Sequence, residues 1–133
     1  MKVSISNGEL LDKVTILKLK LDNVADEEKL KHIRKEHDTL VAEMMVLTDT
    51  IENKDKEGEY LRLYDSLYAT NNKLWILEDR IREKEKRNIF DQDFIEVARA
   101  IYYTNDVRAD IKRKINSLTN SAFVEVKNYL EYE

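Results

Sequence analysis

Cysteine and proline are both absent from this chain, and glycine occurs only twice. Without cysteine there is no disulfide framework and no thiolate metal site. Without proline, and almost without glycine, the backbone lacks the residues that most often interrupt helices. No apolar run approaches the roughly 18 residues that a membrane-spanning helix needs. The first residues, MKVSISNGELLDK, lack the continuous apolar segment of a signal peptide, so the expected compartment is the cytoplasm. A glycine-rich phosphate loop is missing as well, and no nucleophile stands in a pattern with its base.

At 133 residues the chain has the size of one domain, residues 1–133, with a single core. Hydrophobic residues make up 42% and charged residues 38%, too apolar for a disordered chain and suited to long helices. The net charge of −4 argues against nucleic acid or an anionic membrane as partner, because both require a clustered positive field.

Residues 2–6 alternate Val3 and Ile5 against Lys2 and Ser4, which suits a short extended segment. The run Ser6-Asn7-Gly8-Glu9 reads as a capping box that opens the first helix. Its stripe is Leu10, Val14, Leu17, Leu21 and Val24, yet Ile16 and Leu19 lie on the far side. Such a helix is expected to be sandwiched, either within the monomer or by a second subunit. Asp26 caps a second helix, with Glu27 and Glu28 in its first turn. There Leu30, Ile33, His37, Leu40, Met44, Leu47 and Ile51 form a seam of coiled-coil spacing. Residues 52–58, ENKDKEG, read as a loop. The third helix, residues 60–87, closes at Asn88, and Asp91 with Asp93 opens a fourth. After Leu118 the segment SLTNS breaks the helix, and the alternation Val124, Glu125, Val126, Lys127 suggests a strand, with a two-stranded ribbon to residues 3–5 as one arrangement.

The third and fourth helices carry the most informative pattern. Their core-facing stripes include Asn71, Glu78 and Arg82 on one, and Asn105, Arg108 and Lys112 on the other. In an antiparallel hairpin, facing residues have numbers summing to about 180. Trp75 then faces Asn105, Asn71 lies near Arg108, and Lys112 lies opposite Tyr68. Buried charges are costly unless paired. Either Glu78 pairs with Arg82 and Arg108 as a structural network, or the layer lines a cavity. The cavity reading sets an anion against Arg108 and Lys112, with Trp75 as a wall and Asn71 and Asn105 as orienting groups.

Other candidates are weaker. His37 stands alone in its apolar seam, His32 falls on another face, and neither has the Glu-x-x-His pattern of di-iron bundles, so no metal is expected. The basic clusters at residues 80–87 and 112–114 have acids interleaved with them or just ahead of them, and read as solvated helix faces. The pairs Glu9/Asp12 and Glu52/Asp55 have the spacing of helical magnesium-dependent nucleotide hydrolases, but their place at helix ends is accounted for by capping.

Three stretches together carry a family resemblance: residues 6–17, SNGELLDKVTIL; residues 74–82, LWILEDRIR; and Asn105-Asp106-Val107-Arg108 with Lys112, Ile115 and Asn116. The chain resembles a family of uncharacterised bacterial and phage proteins, a domain of unknown function sometimes encoded near surface-polysaccharide genes. The proline usual after the first serine in that family is here Asn7. The resemblance implies that the first helix start and the layer on the third and fourth helices belong to the family pattern, and it brings no activity.

The expectation is therefore an all-α antiparallel bundle of about four helices with short extended terminal segments. The surplus apolar surface on the first two helices points to a homodimer. The first functional expectation is a non-enzymatic assembly or accessory protein acting through protein contacts, with no catalytic residue and no cofactor. The alternative is a small-anion or nucleotide-sugar binding protein or enzyme that uses Asn71, Trp75, Glu78, Arg82, Asn105, Arg108 and Lys112.

Overall fold

The structure, a computed structural model, describes residues 1–124 and 126. Four helices follow one another: α1 (Asn7–Asn23), α2 (Glu27–Asp49), α3 (Lys54–Lys86) and α4 (Gln92–Leu118). Among the described residues there is no strand. Residues 1–5 have no regular structure, and Glu125 and Lys127 of the expected C-terminal strand lie outside the described residues. No helix of the described residues is long and apolar enough to cross a membrane.

The helix ends sit where local chemistry puts them. Ser6 Oγ accepts from Glu9 N–H at 3.1 Å, Asp26 Oδ1 from Glu28 N–H at 2.9 Å, and Asp91 Oδ1 from Phe94 N–H at 2.9 Å. Asn88 takes a left-handed conformation at φ 55°, and Ile89 N–H reaches back to the Lys84 carbonyl. That closure turns the chain sharply from α3 into α4. Asn120, at φ 52°, ends α4 in the same way, with Ser121 N–H on the Asn116 carbonyl. The loop expected over residues 52–58 is shorter than its composition suggested. Asn53 caps α3 by accepting from Lys56 N–H, and the helix runs through Gly58. One good cap and the packing of a long helix outweigh the propensity cost of a single glycine.

α1 is the central element, packed against each of the other three helices. This accounts for apolar residues around so much of its girth: the sandwich is supplied within the monomer. Leu11, Val14, Leu17 and Leu19 are all buried. α2 lies against α1 along one side only, and its whole seam from Leu30 to Ile51 is half-buried.

Along the bundle axis the interior changes character. At the pole where α1 and α3 begin and α2 and α4 end, Leu11, Tyr60, Leu63, Leu67, Ile111 and Ile115 form the apolar core. Each such buried side chain contributes about 1.5–3 kcal/mol. Tyr60 meets its polar need with Thr48, hydroxyl to hydroxyl at 3.1 Å. Toward the α3–α4 turn, the same three helices present buried Asp12, Thr15 and Asn71 and part-buried Arg108 instead.

Candidate functional site

The hub of the polar layer is Asp12, on α1, whose side chain is 1% exposed. Arg108 grips it with two nitrogens: Nε donates to Oδ1 at 2.8 Å, and the terminal Nη2 donates to Oδ2. From α3, Asn71 Nδ2 donates to Asp12 Oδ1 at 2.9 Å and to Thr15 Oγ1 at 2.8 Å, while Thr15 Oγ1 donates to the Asp12 carbonyl at 2.8 Å. A two-pronged guanidinium–carboxylate pair has both charge and fixed geometry, so it sets how three helices rotate and slide against one another. Lys112, one turn further along α4, donates to Glu9 Oε2 at 2.6 Å and lies 3.9 Å from Asp12 Oδ2.

Glu9 and Asp12 were expected to act in capping at the helix start. Their carboxylates instead receive α4: Glu9 takes Lys112 and, at 3.8 Å, Lys13, while Asp12 takes Arg108. The spacing of three residues puts both acids on the α1 face that meets α4.

The α1 start is closed by side chains from the far end of the chain. Asn7 N–H donates to Ser121 Oγ at 3.0 Å, Gly8 N–H to Asn116 Oδ1 at 2.6 Å and Glu9 N–H to Ser6 Oγ, while Leu10 N–H reaches the Ser6 carbonyl. The amides of Asn7, Gly8 and Glu9, which a helix start leaves without an intrahelical partner, are thus taken, and Leu10 N–H makes the first bond of the helix ladder. Gly8 is needed there because a Cβ would lie 2.5 Å from the Lys112 carbonyl oxygen, so α1 and α4 touch backbone to backbone. Asn116 Nδ2 is buried with no partner among the described residues.

Directly above the layer, toward the α3–α4 turn, a cleft of about 310 Å³ opens between α1, α3 and α4. Ile16, Leu19, Leu74 and Trp75 make its apolar walls; Asn71, Glu78, Asp79, Asn105 and Arg108 supply polar groups. Five of the seven residues singled out in the sequence therefore line one space: Asn71, Trp75, Glu78, Asn105 and Arg108. The hairpin arithmetic holds for this group, since Trp75 and Asn105 share the cleft, as do Asn71 and Arg108.

The other two stand elsewhere. Arg82 has a side chain 77% exposed and is paired at the surface with Glu78 of its own helix, at 3.2 Å. Lys112 faces α1 and not Tyr68; Tyr68 instead donates to Asp22 and has Lys18 Nζ 5.3 Å from its ring centre. The expected network of Glu78 with Arg108 is replaced by Asp12 with Arg108, because α1, not α3, supplies the buried acid.

Sequence reading assigned Asp12 to capping and gave Thr15 and Asn116 no role of their own, so their place in the layer was missed. A signal for the first two existed: Gly8, Asp12, Thr15 and Leu19 recur at steps of four, three and four, one continuous helix face. A charged residue within that face marks a buried partner.

The chain belongs to a family of unknown function, DUF6165, whose model matches residues 1–131. Neither a curated protein nor a solved structure matches it.

Proposed function

We propose that this protein is a small helical binding protein that works in the cytoplasm and whose working site is the cleft walled by Trp75 and floored by the Asp12 layer. The observation that carries this reading is Arg108: its inner edge is clamped by Asp12 while the residue borders an open, Trp-walled space. A floor held rigid and charge-balanced by the Asp12 pair, with aromatic surface at the side, makes a preorganised place for a small molecule. The layer beneath serves structure in this reading, since both oxygens of its buried carboxylate accept from protein donors, and it leaves the cleft above as the part that can receive something.

The chain has a single tryptophan, so its fluorescence reports on this cleft alone. A titration with a panel of small cations, anions, neutral polyols and nucleotide sugars is expected to shift Trp75 emission for at least one class. Nucleotide sugars are included because the resemblance implies a bacterial or phage setting near surface-polysaccharide synthesis. A panel with no saturable shift at millimolar concentration would remove the cleft as a binding site.

A second reading, an assembly or accessory role as a homodimer, is favoured by α2. That helix has no fully buried residue, and it exposes Met45 and Val46 beside its half-buried seam. Analytical ultracentrifugation tests it, and a clean monomer at micromolar concentration would sink it.

A further inference from the structure

We infer that the cleft selects an organic cation, a primary ammonium or guanidinium carried on an apolar stem, rather than an anion. This rests on the proposed binding role and adds the class of ligand. The first ground is the balance of charge. Arg108 is the cation on the cleft wall, and Asp12, buried directly behind it, offsets its charge. Lys112, the second cation of the layer, is met by Glu9 and does not line the cleft. Two carboxylates remain on the wall, Glu78 half-buried and Asp79 exposed, both one turn from Trp75 on the same α3 surface. Arg82 offsets Glu78 in part, but through one contact at the solvent edge, where screening makes such pairs weak. The field inside is therefore negative.

The second ground is the wall itself. A half-buried indole beside Leu74, Leu19 and Ile16 offers a π face and an aliphatic floor. Cations are attracted to the face of an indole, and a stem of a few methylenes fills the apolar part. Glu78 and Asp79 then receive the charged head, and Asn105 has an amide for one further hydrogen bond. An anion placed in the same space would meet two like charges and gain only a guanidinium whose charge Asp12 already offsets.

The probes are n-butylammonium, n-butanol and n-butyrate, matched in stem and differing in charge, with inorganic phosphate as a fourth, each titrated against Trp75 fluorescence in the whole chain. Butylammonium is expected to bind at least about five-fold more tightly than butanol, and to weaken as salt is raised. Glu78→Gln with Asp79→Asn, both at accessible positions, is expected to abolish that preference while the far-ultraviolet circular dichroism is unchanged. Arg82→Ala is expected to act in the opposite direction and strengthen butylammonium binding two- to three-fold, because it releases Glu78. Should the acidic double variant lose its helical signal, the salt dependence and Arg82→Ala still decide the matter. Equal binding of butanol, or tighter binding of butyrate or phosphate, would overturn the choice of a cation and leave the cleft as a binding site. A Trp75 signal unmoved by all four, and by the wider panel above, would overturn both.

Discussion

Asp12 and Arg108 stand 96 residues apart in the chain and meet as a two-pronged ion pair between α1 and α4, with the acid almost wholly buried. Removing one member of such a pair strands a charge away from water, which costs about 3–5 kcal/mol when both partners are buried. Arg108 retains 30% exposure, so Arg108→Ala is expected at the lower end, about 3 kcal/mol. The loss arises at Asp12, and Glu78→Gln should leave stability almost unchanged because its pairing lies at the surface. Replacing the pair together, as Asp12→Leu with Arg108→Met, should recover part of the loss, with Asn71 left short of one acceptor. Urea unfolding midpoints of the three variants check the ordering; equal losses from Glu78→Gln and Arg108→Ala would contradict it.

Gly8→Ala has the opposite sign from what helix propensity alone gives. Inside a helix alanine is favoured over glycine by about 1 kcal/mol. Here the added methyl would sit 2.5 Å from the Lys112 carbonyl oxygen, backbone that can yield only if α1 and α4 separate. Separation also pulls Gly8 N–H from Asn116 and Glu9 from Lys112. The expected net effect is destabilisation by about 2 kcal/mol, in the range of overpacked contacts. Asn116→Ala, which removes only the cap on Gly8, should cost about 1 kcal/mol. Thermal unfolding compares the two, and a raised melting temperature for Gly8→Ala would mean that the helices are not in contact there.

The α3–α4 turn gives an acid-sensitive contribution. Phe94 N–H first, and then Lys84, hold the Asp91 carboxyl below its ordinary value of 3.8. Asp93 is lowered by Lys84 and by Arg80, whose Nη2 donates to it at 2.6 Å. A carboxyl whose pKa is lower folded than unfolded stabilises the fold above the unfolded value, and that stabilisation is lost as pH falls below 3.8 through the folded value. The wild type should therefore lose urea resistance more steeply below that pH than Asp91→Asn with Asp93→Asn. The double variant keeps an N-cap, because asparagine also accepts from Phe94 N–H. Parallel curves for the two proteins between pH 5 and about pH 2 would show that these pairs add nothing across that window.

Local chemistry alone decided a large part of this protein. Ser6, Asp26 and Asp91 cap the helices they were read to cap, and Asn88 turns α3 into α4, because a cap depends on residues within a few positions of one another. The level of each residue along the α3–α4 hairpin was equally readable, since helix rise is constant, and so Asn71, Trp75, Asn105 and Arg108 gather in one cleft. Periodicity says which face of a helix is inward, but not which neighbour the face meets. That choice lay with the tertiary structure: α1 packed against both α3 and α4, took Arg108 with Asp12 and Lys112 with Glu9, and left Arg82 in water. The start of α3 before Gly58 was decided by packing too, at the pole where Tyr60 and Leu63 enter the core. Side chains distant in sequence compete for one charge only once the helices are assembled, so the sequence marked Asn71 and Arg108 as inward polar groups and the fold supplied Asp12 and Thr15 as their partners.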